Sequence, residues 1–346
     1  MKNTSVNKAF SAILKELPDR QREILIGRFG LKSADAETET LEELGGRYGI
    51  TRERVRQIEA AALKNLSQKI KGHQVFDAFL TSVKKHLKSA GGVLSENNLV
   101  KLVSVAFPDA NKNQMKLVSE VSGEFGFHLD DKNFLPFYFA DEAGVKLASG
   151  FVSQWVSFVK SRRGEILSGQ YEENLKDFSK GKNVPFSYAS NFLAVSKKIS
   201  SNPYGEVGLV EWPEIVPKTI RDRIYLVLNK NKKPLHFTEI AKTINETKFD
   251  KKVALASTVH NELIKDNRFV LVGRGLYGLR EHGYEPGTAK EVIHKILKKH
   301  GPLKPKQVIE AVNKERFFKY NTILVNLQNK NLFERLVDGS YRVRQS

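Results

Sequence analysis

One face of a predicted helix over residues 51–66 carries the side chains best suited to reading DNA bases. Near the start of this helix, arginine, glutamate and glutamine fall on the same side: Arg52, Glu53, Arg56 and Gln57. Arginine can bind guanine through two hydrogen bonds, glutamine can pair with adenine, and glutamate can accept a hydrogen bond from cytosine. Thr51 is suited to cap the helix beside the DNA, and Arg54 to contact a phosphate. The pattern predicts a recognition helix, although an amphipathic helix with a basic face that binds no DNA would have the same composition.

The opposite face of this helix is apolar at helical spacing, so it would pack on earlier helices. The residues are Val55, Ile58, Ala62 and Leu66. Just before it, Thr40 and Glu43 form a capping-box sequence that opens a short helix, and Gly49 supplies the turn. A helix, a glycine turn and a second helix predict a helix-turn-helix. Further upstream, Pro18 separates two helices and Gly30 ends the second of them.

The strings LPDRQREILIGRFGL and TLEELGGRYGITRERVRQIEAAALKNL closely resemble region 4 of bacterial RNA polymerase sigma factors of the sigma-70 class. This resemblance implies that the four base-reading side chains named above recognise the −35 promoter element. It also implies that the helices around residues 17–29 dock on the flap of the polymerase β subunit. The polymerase-binding residues expected there are Leu17, Ile24, Leu25 and Phe29.

Two features depart from the sigma pattern. Gly45 and Gly46 lie inside the first helix of the motif and should each weaken it by roughly 1 kcal/mol relative to alanine. The aromatic-rich segment with which sigma factors melt promoters is not found ahead of the motif. We therefore expect a promoter-binding chain that is not a complete sigma factor.

Positive charge is concentrated in the C-terminal third of the chain. The net charge is +18 over 346 residues, of which +14 lies in residues 217–346 and +4 in residues 1–216. Such a surface favours binding to nucleic acid phosphates over a merely solvated basic surface. The chain has no cysteine and no apolar run of the roughly 20 residues that span a bilayer. We expect a cytoplasmic, nucleoid-associated protein that has no membrane partner.

Three later segments repeat one order of elements: a helix, a short turn, two more helices and a two-stranded hairpin, which is the order of a winged helix. Tight hairpin turns are predicted at Gly273-Arg274-Gly275 and at Asp338-Gly339. The strings KPLHFTEIA and GLYGL resemble the HARE-type helix-turn-helix family, which occurs in polymerase-associated, chromatin and restriction proteins. The predicted fold class is mainly α, a helix-turn-helix bundle followed by tandem winged-helix domains. The predicted domains are residues 1–71 (region 4-like), 74–142 (winged-helix-like), 143–215 (a linker or a degenerate winged helix), 217–285 (HARE-type) and 287–346 (winged helix).

The basic C-terminal repeats supply further candidate DNA contacts, although winged helices also bind proteins. The candidates are Lys251, Lys252, His260, Arg274, Lys319, Tyr320, Asn321, Arg342 and Arg344. A helix over residues 251–266 is expected to carry the first three of them. The nearly neutral residues 72–216 are assigned to protein contacts or spacing.

No pattern in the sequence predicts catalysis, a metal or a cofactor. The eight histidines have no metal-ligand spacing, and no nucleotide-binding glycine motif is found. The predicted function is a transcription regulator that binds double-stranded promoter DNA, together with RNA polymerase. Two alternatives remain: a polymerase accessory protein docked through region 4, and the DNA-recognition subunit of a restriction or defence system. The oligomeric state is left open.

Overall fold

The computed structural model describes residues 5–33, 36–315 and 318–344. These residues form mainly helices with small antiparallel sheets, which confirms the predicted mainly α fold class. The chain divides into two compact units. The first comprises residues 1–200 and 207–210, and the second comprises residues 201–206 and 211–346.

Four helices at the start of the first unit build the helix-turn-helix. They are α1 (Val6–Lys15), α2 (Asp19–Phe29), α3 (Leu41–Tyr48) and α4 (Arg52–Ile70). As predicted, Thr40 and Glu43 form a reciprocal capping box at the start of α3, and Gly49 ends that helix in the left-handed conformation, with φ of 64°. Thr51 then caps α4 by accepting a hydrogen bond from the backbone amide of Arg54 at 3.2 Å. Short-range hydrogen bonds therefore fix the turn of the motif.

A winged-helix order follows directly in the first unit. Its elements are α5 (Gln74–Ser89), β1 (Val93–Ser95), α6 (Glu96–Ser104), α7 (Lys112–Ser122), β2 (Gly126–His128) and β3 (Phe137–Phe139). Strand β3 lies between β1 and β2, antiparallel to both. We call residues 74–139 the first winged-helix repeat.

One apolar core runs through the helix-turn-helix and the first winged-helix repeat. Phe10 of α1 and Phe76 of α5 meet edge to face, with ring centroids 4.8 Å apart. Leu66 of α4 and Val118 of α7 are both fully buried in the same cluster. The cluster crosses the predicted boundary near residue 72, so the two segments share their hydrophobic stabilisation.

Further helices and strands follow over residues 142–209, of which residues 201–206 belong to the second unit. The elements are α8 (Glu142–Ser161), α9 (Arg163–Glu165), a π-helical turn (Ile166–Gln170), α10 (Tyr171–Gly181), α11 (Phe186–Ala194), β4 (Ile199–Ser201) and β5 (Val207–Leu209). Trp155 is fully buried and stacks on Phe158, with centroids 5.4 Å apart. Its indole also meets the rings of Tyr171 and Phe178 edge to face.

The second unit contains two winged-helix repeats with separate cores. The HARE-type repeat consists of α12 (Ile220–Asn231), β6 (Leu235–His236), α13 (Phe237–Thr247), α14 (Ala256–Lys265), β7 (Phe269–Gly273) and β8 (Leu276–Leu279), then a 3-10 turn (Arg280–His282). The last repeat consists of α15 (Ala289–His300), α16 (Pro305–Glu315), α17 (Tyr320–Leu327), β9 (Phe333–Arg335) and β10 (Tyr341–Val343). Both hairpin turns lie where the sequence placed them, between β7 and β8 and between β9 and β10.

Candidate nucleic-acid interface

The N-terminal half of α4 has one polar, exposed face, and its opposite apolar face is buried. Val55 is fully buried with Ile24 of α2 and Leu44 of α3, so α4 is held against both preceding helices. All five polar side chains from position 52 to 57 are exposed: Arg52, Glu53, Arg54, Arg56 and Gln57. The structure thus brings the predicted base-reading residues together on one accessible surface.

These exposed side chains are linked to one another by hydrogen bonds. Arg56 donates from Nε and Nη2 to the two carboxylate oxygens of Glu53, at 2.9 and 2.7 Å. The bond to Arg56 is the main reason that the pKa of Glu53 is lowered, so this carboxylate stays ionised. Arg54 Nη1 donates to Gln57 Oε1 at 3.1 Å. Exposed pairs of this kind are weak, so these side chains can exchange partners at little cost.

A second set of contacts fixes the orientation of α4, and sequence reasoning did not identify it. Arg28 of α2 donates to Glu59 of α4 at 3.1 Å and also to the carbonyl oxygen of Glu39 at 3.2 Å. Burial raises the pKa of Glu59, and the neighbouring Arg28 opposes that rise. Arg20 lies over the ring of Tyr48, 3.8 Å from its centroid, which ties α2 to the end of α3. The paired residues are distant in sequence, so no local pattern links them.

The four residues expected to bind polymerase lie in the core. Leu17, Ile24, Leu25 and Phe29 are 3%, 0%, 0% and 8% exposed. Apolar side chains at helical spacing stabilise the fold by burial, and here that burial removes them from the surface. These side chains therefore cannot contact a partner in this conformation, and a docking surface on these helices would consist of other residues.

The HARE-type repeat corrects the predicted position of Lys251 and Lys252. The expected helix over residues 251–266 begins only at Ala256, and both lysines lie exposed in the preceding loop. Hydrogen bonds from side chains to the backbone fix the conformation of this loop. Asp250 accepts from the backbone amide of Lys252 at 2.8 Å, and Asn245 pairs with both backbone groups of Ala254, at 2.7 and 3.1 Å.

A buried arginine of α12 also holds this loop in place. Arg223, only 4% exposed, binds Asp250 through both terminal nitrogens, one of them at 3.1 Å. Together these bonds preorganise the loop that presents the two lysines. Arg274 is also exposed, in the turn between β7 and β8. His260 is partly buried beside Phe237, with ring centroids 4.7 Å apart.

Sequence reasoning missed the polar face of α14. Ser257, Thr258 and Asn261 are exposed on this helix, which occupies the third position of the repeat. A third helix of this kind is the one that enters the major groove in helix-turn-helix proteins. The available signal was the helical spacing of the buried Val259 and Leu263, which places Ser257, Thr258 and Asn261 away from the core.

The last winged-helix repeat exposes its predicted contacts on α17 and the hairpin. Lys319 precedes α17, and Tyr320 and Asn321 begin it; all three are exposed. Tyr320 has 59% of its surface in solvent. Arg342 of β10 is exposed but forms an ion pair with Glu334 of β9 at 2.9 Å. Arg344 donates to the carbonyl oxygen of Lys330 at 2.7 Å.

Within the described ranges, no group of three histidine, aspartate or glutamate side chains could hold a metal ion. Among the same residues, no helix has both the length and the apolar character needed to cross a bilayer.

Two segments match models of known protein families. Residues 13–68 match the model described as Sigma-70, region 4, and residues 218–282 match the HARE-HTH model, whose description includes ASXL and restriction endonuclease HTH domains. Over 65 residues the chain is 48% identical to the RNA polymerase sigma factor SigA of Listeria monocytogenes, and equally to SigA of Listeria innocua. The aligned stretch covers 19% of this chain and 17% of each SigA protein. The chain therefore carries a sigma-70 region 4 domain and a HARE-type helix-turn-helix domain, which together support a DNA-binding regulator.

Proposed function

We propose that this protein is a sequence-specific transcription regulator that binds promoter DNA together with RNA polymerase. In this proposal the N-terminal half of α4 lies in the major groove and reads a −35-type element. The exposed face of Arg52, Glu53, Arg56 and Gln57 on a buried, capped helix is the observation that carries it. Arg54 and the helix cap Thr51 lie next to the phosphate backbone.

The base-reading chemistry follows from these side chains. Arg52 makes no hydrogen bond or ion pair with the described residues, so its guanidinium is free to bind guanine O6 and N7. Arg56 exchanges its partner Glu53 for a base edge, which leaves the Glu53 carboxylate free to accept from cytosine N4. Gln57 can pair with adenine.

The basic repeats of the second unit extend the contact with DNA. Polar side chains on α14 and α17, with Lys251, Lys252 and Arg274, form surfaces that match phosphate and base edges. A net charge of +14 over residues 217–346 supplies the counterion-release component of binding. The proposed function is binding to DNA on the nucleoid, in the cytoplasm. It involves no catalytic step.

The proposed contact with RNA polymerase is supported by the region 4 domain only. Because the chain spans 17% of the length of the SigA proteins, promoter opening is not transferred to it. A second candidate is the DNA-recognition chain of a restriction system, which the family description of residues 218–282 favours.

Selection of bound DNA from a random library tests the proposal. The wild type should enrich one element, and R52A/R56A should enrich none. The matched control is K85A/K88A, which removes the same charge from the exposed surface of α5. Random sequences selected by the wild type would contradict sequence-specific reading.

Mapping of the protein and of polymerase on the genome separates the alternatives. Promoter occupancy that disappears in R52A/R56A supports direct reading. Occupancy that persists in this variant would favour docking on polymerase instead, and enrichment away from promoters would favour the restriction system.

A further inference from the structure

The third helix of the first winged-helix repeat, α7, differs from its counterparts. In α14 and α17 this helix leaves polar residues such as Asn261 and Asn321 in solvent. In α7, polar and apolar residues alike are buried: Asn113, Gln114, Met115, Leu117, Val118, Ser119 and Val121. A helix of 11 residues with such a distribution is covered on more than one side.

The region 4 domain provides the additional cover. Met115, Leu117 and Val118 of α7 belong to the same apolar cluster as Phe29 of α2 and Leu66 of α4. Lys116 and Glu120 of α7 also line a cleft of about 530 Å³ whose other wall includes Arg56 and Glu59 of α4. Helix α7 therefore packs against α2 and α4 of the region 4 domain.

Polar bonds give this contact its specificity. Asn113 is 7% exposed, and its amide donates to the carbonyl oxygens of Gly30 at 2.8 Å and Ala36 at 3.3 Å. Gln114 donates to the side chain of Asn7. Gly30 has φ of 62°, and a Cβ there would lie 2.5 Å from the oxygen of Ala36, so this junction is built around a glycine. A buried amide that donates to two carbonyl groups is costly to remove.

The loop that Asn113 binds leads directly to the helix-turn-helix. It follows Gly30 at the end of α2 and reaches the capping residue Thr40 of α3. Arg28 and Glu39, at the two ends of this stretch, also contact each other through the Glu39 carbonyl. Fixing the loop therefore fixes α3 relative to α2.

We propose that α7 is a protein-recognition helix whose partner is the region 4 domain of the same chain. The first winged-helix repeat thus acts as a built-in partner of region 4 and reads no DNA itself. A separate protein that uses the same face of α2 and α4 must first displace α7.

Hydrogen exchange of the full-length protein tests this contact. In N113A, amides of residues 24–33 and 36–39 should exchange about tenfold faster or more, because two carbonyl groups lose their buried partner. The matched control N97A removes an exposed asparagine from α6 and should leave these amides unchanged. Unchanged exchange in N113A would overturn the proposal.

Two further measurements keep the test decisive if N113A folds poorly. The chain has no cysteine, so A60C/E120C places two exposed thiols on the facing helices α4 and α7. A short bifunctional thiol reagent should link them within one chain, whereas the single variants should give no such product. Lack of an intramolecular link would contradict the contact.

Hydrogen exchange with DNA bound is the second measurement. The amides of α4 should gain protection from exchange and those of α7 should not. Protection of α7 by DNA would show that α7 reads DNA.

Discussion

Glu53 receives two hydrogen bonds from the guanidinium group of Arg56, at 2.9 and 2.7 Å, on the exposed face of α4. In the proposed function, this pair orients an arginine toward the bound DNA. It would also place the Glu53 carboxylate within reach of the same bases. Specificity should therefore depend on the geometry of this pair as well as on its charge.

Arg56→Lys tests the role of geometry at constant charge. Lysine cannot form the planar two-point bond to guanine, so affinity for the selected site should fall by about 1–3 kcal/mol while binding to random DNA persists. Titration of both DNAs at one salt concentration measures the difference. R54K is the control, since a phosphate contact tolerates lysine. Equal losses in the two variants would argue against base reading by Arg56.

Neutralising lysines of the last repeat should lower the salt dependence of DNA binding. Lys304, Lys306 and Lys319 are exposed and form no ion pair within the described residues. Each phosphate that the variant no longer neutralises should reduce the slope of log affinity against log salt by about 0.9. The triple glutamine variant is compared with K85Q/K88Q/K146Q, which removes the same charge from the first unit. A slope unaffected by the first triple variant would place these lysines away from DNA.

Gly45 and Gly46 should respond in opposite ways to alanine. A Cβ at Gly45 would lie 2.7 Å from the carbonyl oxygen of Ile50, a backbone atom in the turn, whereas Gly46 has nothing within 4 Å. G45A should destabilise the protein by about 1–3 kcal/mol through this overlap. G46A should stabilise it by up to about 1 kcal/mol through helix propensity. Urea unfolding measures both, and similar effects of the two substitutions would contradict the packing at Gly45.

The HARE-type repeat should lose stability in acid through Asp250. The backbone amide of Lys252 and then Arg223 hold the pKa of this carboxyl below its usual 3.8. A lowered folded-state pKa stabilises the protein above pH 3.8, and this contribution is lost as the pH falls through the lower folded value. In wild type, the protection of residues 248–255 from hydrogen exchange, relative to the intrinsic rate at each pH, should therefore fall below about pH 4.

Asp250→Asn removes this dependence and should make the loop exchange faster already at neutral pH. The control E246Q alters an exposed carboxylate of the same repeat that pairs with Lys242 only at 3.8 Å. The same acid dependence in D250N and wild type would assign the effect to other carboxylates.

Local sequence was enough to predict the helix-turn-helix and the exposed polar face of its second helix. Capping by Thr40 and Thr51, the glycine turn and the apolar spacing of α4 act within a few residues, so they are visible in the sequence. The same is true of the order of elements in the winged-helix repeats and of their hairpin turns. The mainly α fold class follows from this local chemistry.

The contacts of each helix, in contrast, are known only from the folded chain. The bond from Asn113 to Gly30 joins residues 83 positions apart, and Arg28 reaches Glu59 over 31 positions. Helical periodicity shows which face of a helix is apolar, but it does not say which segment covers that face. The resemblance to sigma region 4 implied a docking role for Leu17 and Phe29, and the fold places both in the core. Lys251 was likewise assigned to a helix, because the bonds from Asn245 and Arg223 that hold its loop come from residues elsewhere in the repeat.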